Sequence, residues 1–152
     1  MRLDKYSTPA ARIEYLTGLI AGLGYTIEYG SHRSWVNPLT KTVVLHKSVQ
    51  EAPLAFKSAL LAHECRHVEQ QHGSIFKRIW WLLKYLLSFT FRAHMEVDAE
   101  AHETVVRYWH TGALKVSHRL GGFRHPYYLP GDPERYTERI YAGANILIEA
   151  DE

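Results

Sequence analysis

The run His63-Glu64-Cys65-Arg66-His67 sets two imidazoles four residues apart with a carboxylate beside the first. Residues four apart share one helix face, and Glu64 falls about 100° round the axis from His63, so both rings can reach one ion with an acid alongside. His-Glu-x-x-His on a helix is zinc chemistry, two nitrogen ligands next to a base. Ten histidines make a chance match conceivable, so the surroundings decide. On the helical wheel Ala52, Phe56, Ala59 and Leu60 lie near the two histidines, while Ser58, Arg66 and Glu69 fall on another arc, so both rings should face inward. Burying three polar groups together is costly without an ion or partners. Cys65 points about 200° away from His63 and is expected to pack or lie at the surface, not to ligate.

A catalytic zinc site commonly uses three protein ligands and keeps a fourth position for water, so a third ligand is needed. Arg92–Glu103 is dense in candidates and reads as helix. There Glu96, Glu100 and Glu103 form one stripe between apolar flanks, Ala93, Val97 and Thr104 on one side and Ala99 and Val106 on the other. Such a stripe is expected to be buried. Asp98, His102 and His94 point the opposite way, where a solvated face is the simpler reading.

His63-Glu64-x-x-His67, followed by Glu96-Val97-Asp98-Ala99-Glu100 on a later helix, resembles the gluzincin metallopeptidases, particularly the minigluzincins and the HtpX-like group. The resemblance covers roughly residues 42–110. It implies that Glu96 is the third ligand and that Glu100 supports a ligand histidine through a hydrogen bond. The family has Asp where Glu100 stands, one methylene shorter, which leaves an exchange of roles between Glu96 and Glu100 open. HtpX-like enzymes carry membrane-spanning helices that this sequence lacks, so the minimal form is the closer comparison. By the same resemblance, Zn2+ on His63, His67 and Glu96 activates water and polarises a peptide carbonyl, and Glu64 is the general base. A later His or Tyr would hold the oxyanion; His125, Tyr127, Tyr128 and Tyr141 are the candidates. The resemblance also implies an edge strand just before the active-site helix, here Thr42–His46, that pairs with an extended peptide or protein substrate.

These residues need elements to position them. At 152 residues, 46% hydrophobic and 22% charged, the chain has globular composition and room for one core, so residues 1–152 are expected to form a single zincin-like domain. Thr8-Pro9 opens a first helix that Gly22 and Gly24 stop. Tyr25–Tyr29 and Thr42–His46 are strand-like, with turn formers between them, and suggest a hairpin or small antiparallel sheet. Helices are expected over 49–72, with Pro53 in the first turn, over 75–91, and over 92–110. Residues 121–131 read as loop, and Asp132 caps a last helix to about Ile148. The expected class is α+β, helix-dominated, with the small sheet packed on the active-site helix and the third-ligand helix.

The formal charge of +2 hides an asymmetry: residues 1–92 hold 12 Lys/Arg and 6 Asp/Glu, residues 93–152 hold 6 and 10. That mild dipole, without a basic run or zinc ribbon, argues against nucleic acid and against a DNA-associated protease of the SprT type. One cysteine permits no internal disulfide and fits a reducing compartment, and the first residues lack a signal-peptide pattern, so a cytoplasmic location is expected. Residues 75–91 form an amphipathic basic segment. They read either as a core-packing helix or as a surface for peripheral membrane or protein docking. The leading expectation is a zinc metallopeptidase. The alternative is a catalytically inactive, metal-held scaffold or partner-binding protein, which Glu64 disfavours because a structural zinc site needs no base.

Overall fold

The computed structural model describes residues 7–30, 33–116 and 132–150. They form a helix-dominated α+β fold of five α-helices and a small three-stranded sheet that packs against α1 and α2. Helix α1, Pro9–Gly22, starts as its sequence dictates: Thr8 Oγ1 accepts from the Ala11 amide at 3.2 Å and Pro9 occupies the first turn. Gly24, at φ 78°, supplies the left-handed residue that turns the chain into the sheet.

The strands are β1 (Thr26–Gly30), β2 (Trp35–Asn37) and β3 (Thr42–His46), in the order β1-β3-β2. The sheet is mixed. Its antiparallel part joins β3 to β2, and β1 runs parallel to β3, so the two segments read as strands in the sequence do not form a hairpin with each other. The hairpin turn lies at 38–41 instead, where Asn37 Oδ1 accepts from the amides of Leu39 and Thr40 at 3.0 and 3.3 Å. Strand β3 alternates in burial, with Val43 and Leu45 inside. It is the central strand, so Thr42–His46 has no free edge to offer a substrate; β2 is an edge.

A short 3-10 turn over Lys47–Val49 leads to α2, Leu54–Gln71, which begins after Pro53 and is shorter at its start than its sequence suggests. Helix α3, Ile75–Leu87, is capped by Ser74. Ser88 separates it from α4, Phe89–Thr111, and caps that helix too, accepting from the Phe91 amide at 3.2 Å. Gly112, at φ 71°, ends α4. Helix α5, Pro133–Glu149, starts at Asp132, whose Oδ1 accepts from the Glu134 amide at 2.9 Å.

Helix α2 is sandwiched between α1 and α4. Ala59, Ala62 and Cys65 of α2 and Val105 and Val106 of α4 are buried with Leu16 and Ile20 of α1 and Val43 and Leu45 of β3 in one core. Small residues on α2 let the two site-bearing helices approach closely. Cys65 is fully buried, and burial pushes its thiol up to about 12, so it is an inert packing residue. Among the described residues no helix is long and apolar enough to cross a membrane.

Candidate metal centre

Helix α2 turns His63, Glu64 and His67 toward α4, which answers with Glu96, Glu100 and Glu103, all three at most 5% exposed. The carboxylate stripe is therefore buried as its apolar flanks require. Glu96 faces both imidazoles: its Oε2 is 3.9 Å from His63 Nε2 and its Oε1 is 3.6 Å from His67 Nε2. The ligating atoms of His63, His67 and Glu96 all lie within 4.8 Å of one another. Tetrahedral zinc with bonds of about 2.1 Å separates neighbouring ligand atoms by about 3.4 Å, so the 3.6 and 3.9 Å contacts need shifts of a few tenths of an ångström, while a pair at the 4.8 Å limit must close by more than 1 Å.

The outer nitrogen of His67 is held as a metal-bound histidine needs. Gln70 Nε2 donates to Met95 O at 3.1 Å and to Asp98 Oδ2 at 2.9 Å, which fixes its amide orientation. Gln70 Oε1 then faces His67 Nδ1 at 2.9 Å as an acceptor. That arrangement places the proton of His67 on Nδ1 and leaves the Nε2 lone pair facing Glu96, where a metal ligand would need it. Asp98 is anchored in turn by Arg66 Nε at 2.7 Å. Although burial opposes ionisation, Arg66 and Gln70 hold its carboxyl below the usual range.

His63 is oriented by carboxylates. Its Nδ1 lies 3.2 Å from Glu103 Oε2 and 3.7 Å from Glu100 Oε2. The nearest carboxylate is thus Glu103, one turn beyond the residue that the resemblance suggests, with Glu100 behind it; at 3.2 Å the pair is at ion-pair distance but is not aligned as a hydrogen bond. Arg107 holds Glu103 Oε1 from Nε at 3.0 Å and from Nη2 at 2.7 Å. His63, Glu100 and Glu103 form a second convergent set, in which Arg107 pairs with the other oxygen of Glu103, Oε1.

The charges are strongly perturbed. Burial alone would lower the His63 imidazole; the Glu103 contact, then the charges of Glu64 and Glu96, raise it to about 10. Burial opposes ionisation of Glu96 as well, but His67, His63 and the Tyr85 hydroxyl hold it down to about 2. Glu64 moves the other way. Burial raises its carboxyl, His63 and His67 opposing and Glu96 and Glu103 adding. Its Oε2 is buried with no hydrogen-bond partner among the described residues.

Two features carried no sequence signal. Tyr85 of α3 donates its hydroxyl to Glu96 Oε1, and Trp81 stacks on the Tyr85 ring at 4.8 Å. The metal set forms the floor of a cavity of about 820 Å³. Its walls are apolar: Trp35 and Val36 of β2, Pro38 and Leu39 of the hairpin turn, Phe56 and Leu60 of α2, and Trp81, Leu82 and Leu86 of α3. Tyr141, half-buried on α5, does not line the cavity. His125, Tyr127 and Tyr128 lie outside the described residues.

The face of α4 opposite the site differs from expectation. His94 is exposed, but His102 is 5% exposed, its Nδ1 2.8 Å from Asp98 O, and Arg66 and Gln70 of α2 reach across to the Asp98 carboxylate beside it.

Comparison with known proteins finds no matching family model, no matching curated protein and no matching solved structure.

Proposed function

We propose that the chain is a zinc-dependent metallopeptidase similar to the minigluzincins, with His63, His67 and Glu96 as the metal ligands. The observation that carries this reading is the convergence of those three side chains within 4.8 Å beside a buried Glu64 whose Oε2 makes no hydrogen bond among the described residues. Zinc, when bound, supplies Lewis acidity and lowers the pKa of coordinated water to about 7. Glu64 takes the proton of the attacking water and passes it to the leaving amine, a role that its upward-shifted carboxyl suits. Gln70, Glu103 and Tyr85 keep the ligands aimed. Strand β2, the edge that lines the cavity, pairs with an extended peptide, and the apolar walls accept bulky hydrophobic side chains.

The test is elemental analysis of protein purified without a metal-affinity step, together with hydrolysis of dye-labelled casein. The expected outcome is near one zinc per chain and hydrolysis that a chelator abolishes and zinc restores. Absence of zinc binding would overturn the ligand set. Stoichiometric zinc without hydrolysis would favour the metal-held scaffold.

A further inference from the structure

Helix α3 is built inside out for a core helix. The one fully polar side chain it buries is Arg78, whose Nη1 donates to Pro38 O at 2.8 Å. Its outermost line is Phe76, Trp80, Leu83 and Leu87, spaced four, three and four residues apart and therefore stacked on one face. Phe76 is 80% exposed, Leu87 79% and Trp80 61%, far beyond the scattered apolar exposure of an ordinary surface. Exposed Lys77 and Lys84 flank the line on one side, and Lys84 Nζ lies 5.3 Å above the Trp80 ring, its stem laid along the apolar surface.

Charge selects the occupant. No acidic residue occurs between Glu69 and Glu96, so α3 itself carries only positive or neutral groups. An apolar line with aromatic residues and lysines beside it matches the boundary between acyl chains and anionic headgroups. At 13 residues α3 is too short to cross a bilayer and would lie in its plane.

We propose that α3 docks this protein on an anionic lipid surface, with Phe76, Trp80, Leu83 and Leu87 in the acyl boundary and Lys77 and Lys84 at the headgroups. Leu86 is both exposed and part of the cavity wall, so the docked face adjoins the mouth of the candidate metal centre. Docking does not depend on the peptidase reading, because it needs neither zinc nor turnover.

The test is co-sedimentation of the full chain, chelator-treated and zinc-loaded, with vesicles of equal parts phosphatidylglycerol and phosphatidylcholine, and with phosphatidylcholine alone. Binding is expected on the anionic vesicles with either protein form, and it should weaken with added salt. Phe76→Ser with Leu87→Ser should abolish it. Lys77→Gln with Lys84→Gln should weaken it roughly 25-fold, about fivefold per neutralised lysine. All four side chains are exposed, so circular dichroism should match the parent. Failure to sediment, or sedimentation unaltered in both variants, overturns the proposal. So does a dimer in light scattering that Phe76→Ser with Leu87→Ser dissolves, which would assign the face to a second copy.

Discussion

Glu64→Gln separates a catalytic carboxylate from a structural one because the two readings move two measurements differently. Glu64 is 3% exposed, and burial shifts its carboxyl upward. Glutamine keeps the shape, removes the charge and cannot take a proton from water. A poorly satisfied buried polar group costs about 1–3 kcal/mol, and a neutral amide is cheaper to bury than a carboxylate. Glutamine remains a poorly satisfied buried polar group and loses the attraction to His63 and His67, so only the difference between the two burial costs is regained; at about 2–4 °C per kcal/mol for a chain of this size, the metal-free variant should melt within a few degrees of the parent. Hydrolysis should fall by about 10²–10⁴, the usual contribution of a positioned base, with zinc content unchanged. Calorimetry of chelator-treated protein and casein hydrolysis by zinc-loaded protein provide the two readouts. Hydrolysis within a few-fold of the parent would refute the assigned base. A melting point several degrees lower would show that the carboxylate holds the fold together.

Glu96→Ala should weaken zinc binding more than about 100-fold, beyond the range for groups that merely orient a ligand, with elemental analysis as the check. Glu103→Gln should weaken it about 10–100-fold with the fold intact. If Glu100→Gln has that effect and Glu103→Gln does not, the support of His63 passes to Glu100. His110 Nε2 faces Arg12 Nη1 at 3.0 Å and Ser58 Oγ at 3.1 Å, and burial, then Arg12, lowers its pKa below 6.5. The folded state keeps His110 neutral while the unfolded chain takes up a proton. Its contribution is therefore present above about pH 6.5 and lost as the pH falls below that value. The acid-side drop in melting temperature should be smaller in His110→Gln than in the parent, and equal drops would contradict this account.

Much of the site was legible because it rests on local periodicity. The four-residue spacing of His63 and His67 and the stripe of Glu96, Glu100 and Glu103 follow from the helical repeat alone, and both face inward as their apolar neighbours require. Caps at Thr8 and Asp132 were equally local. What escaped depends on distances between elements. A wheel cannot rank Glu100 against Glu103, because both share the stripe and only the approach of α2 sets 3.7 against 3.2 Å. Tyr85 reaches Glu96 across a helix boundary with no spacing rule to announce it. The parallel pairing of β1 and β3 was hidden because strand composition does not encode direction, and three-residue β2 was too short to stand out. His102 is buried although it lies on the Asp98 side of α4, which the periodicity of α4 alone does not register.

Helix α3 is fastened at both ends. Arg78 ties it to the backbone at Pro38, and Arg92 reaches back from α4 to the carbonyl oxygens of Tyr85 and Leu86 at 2.9 Å each. Between these rivets Tyr85 grips Glu96. The segment is thus pinned near both ends, and its inner side touches the carboxylate that the ion would share.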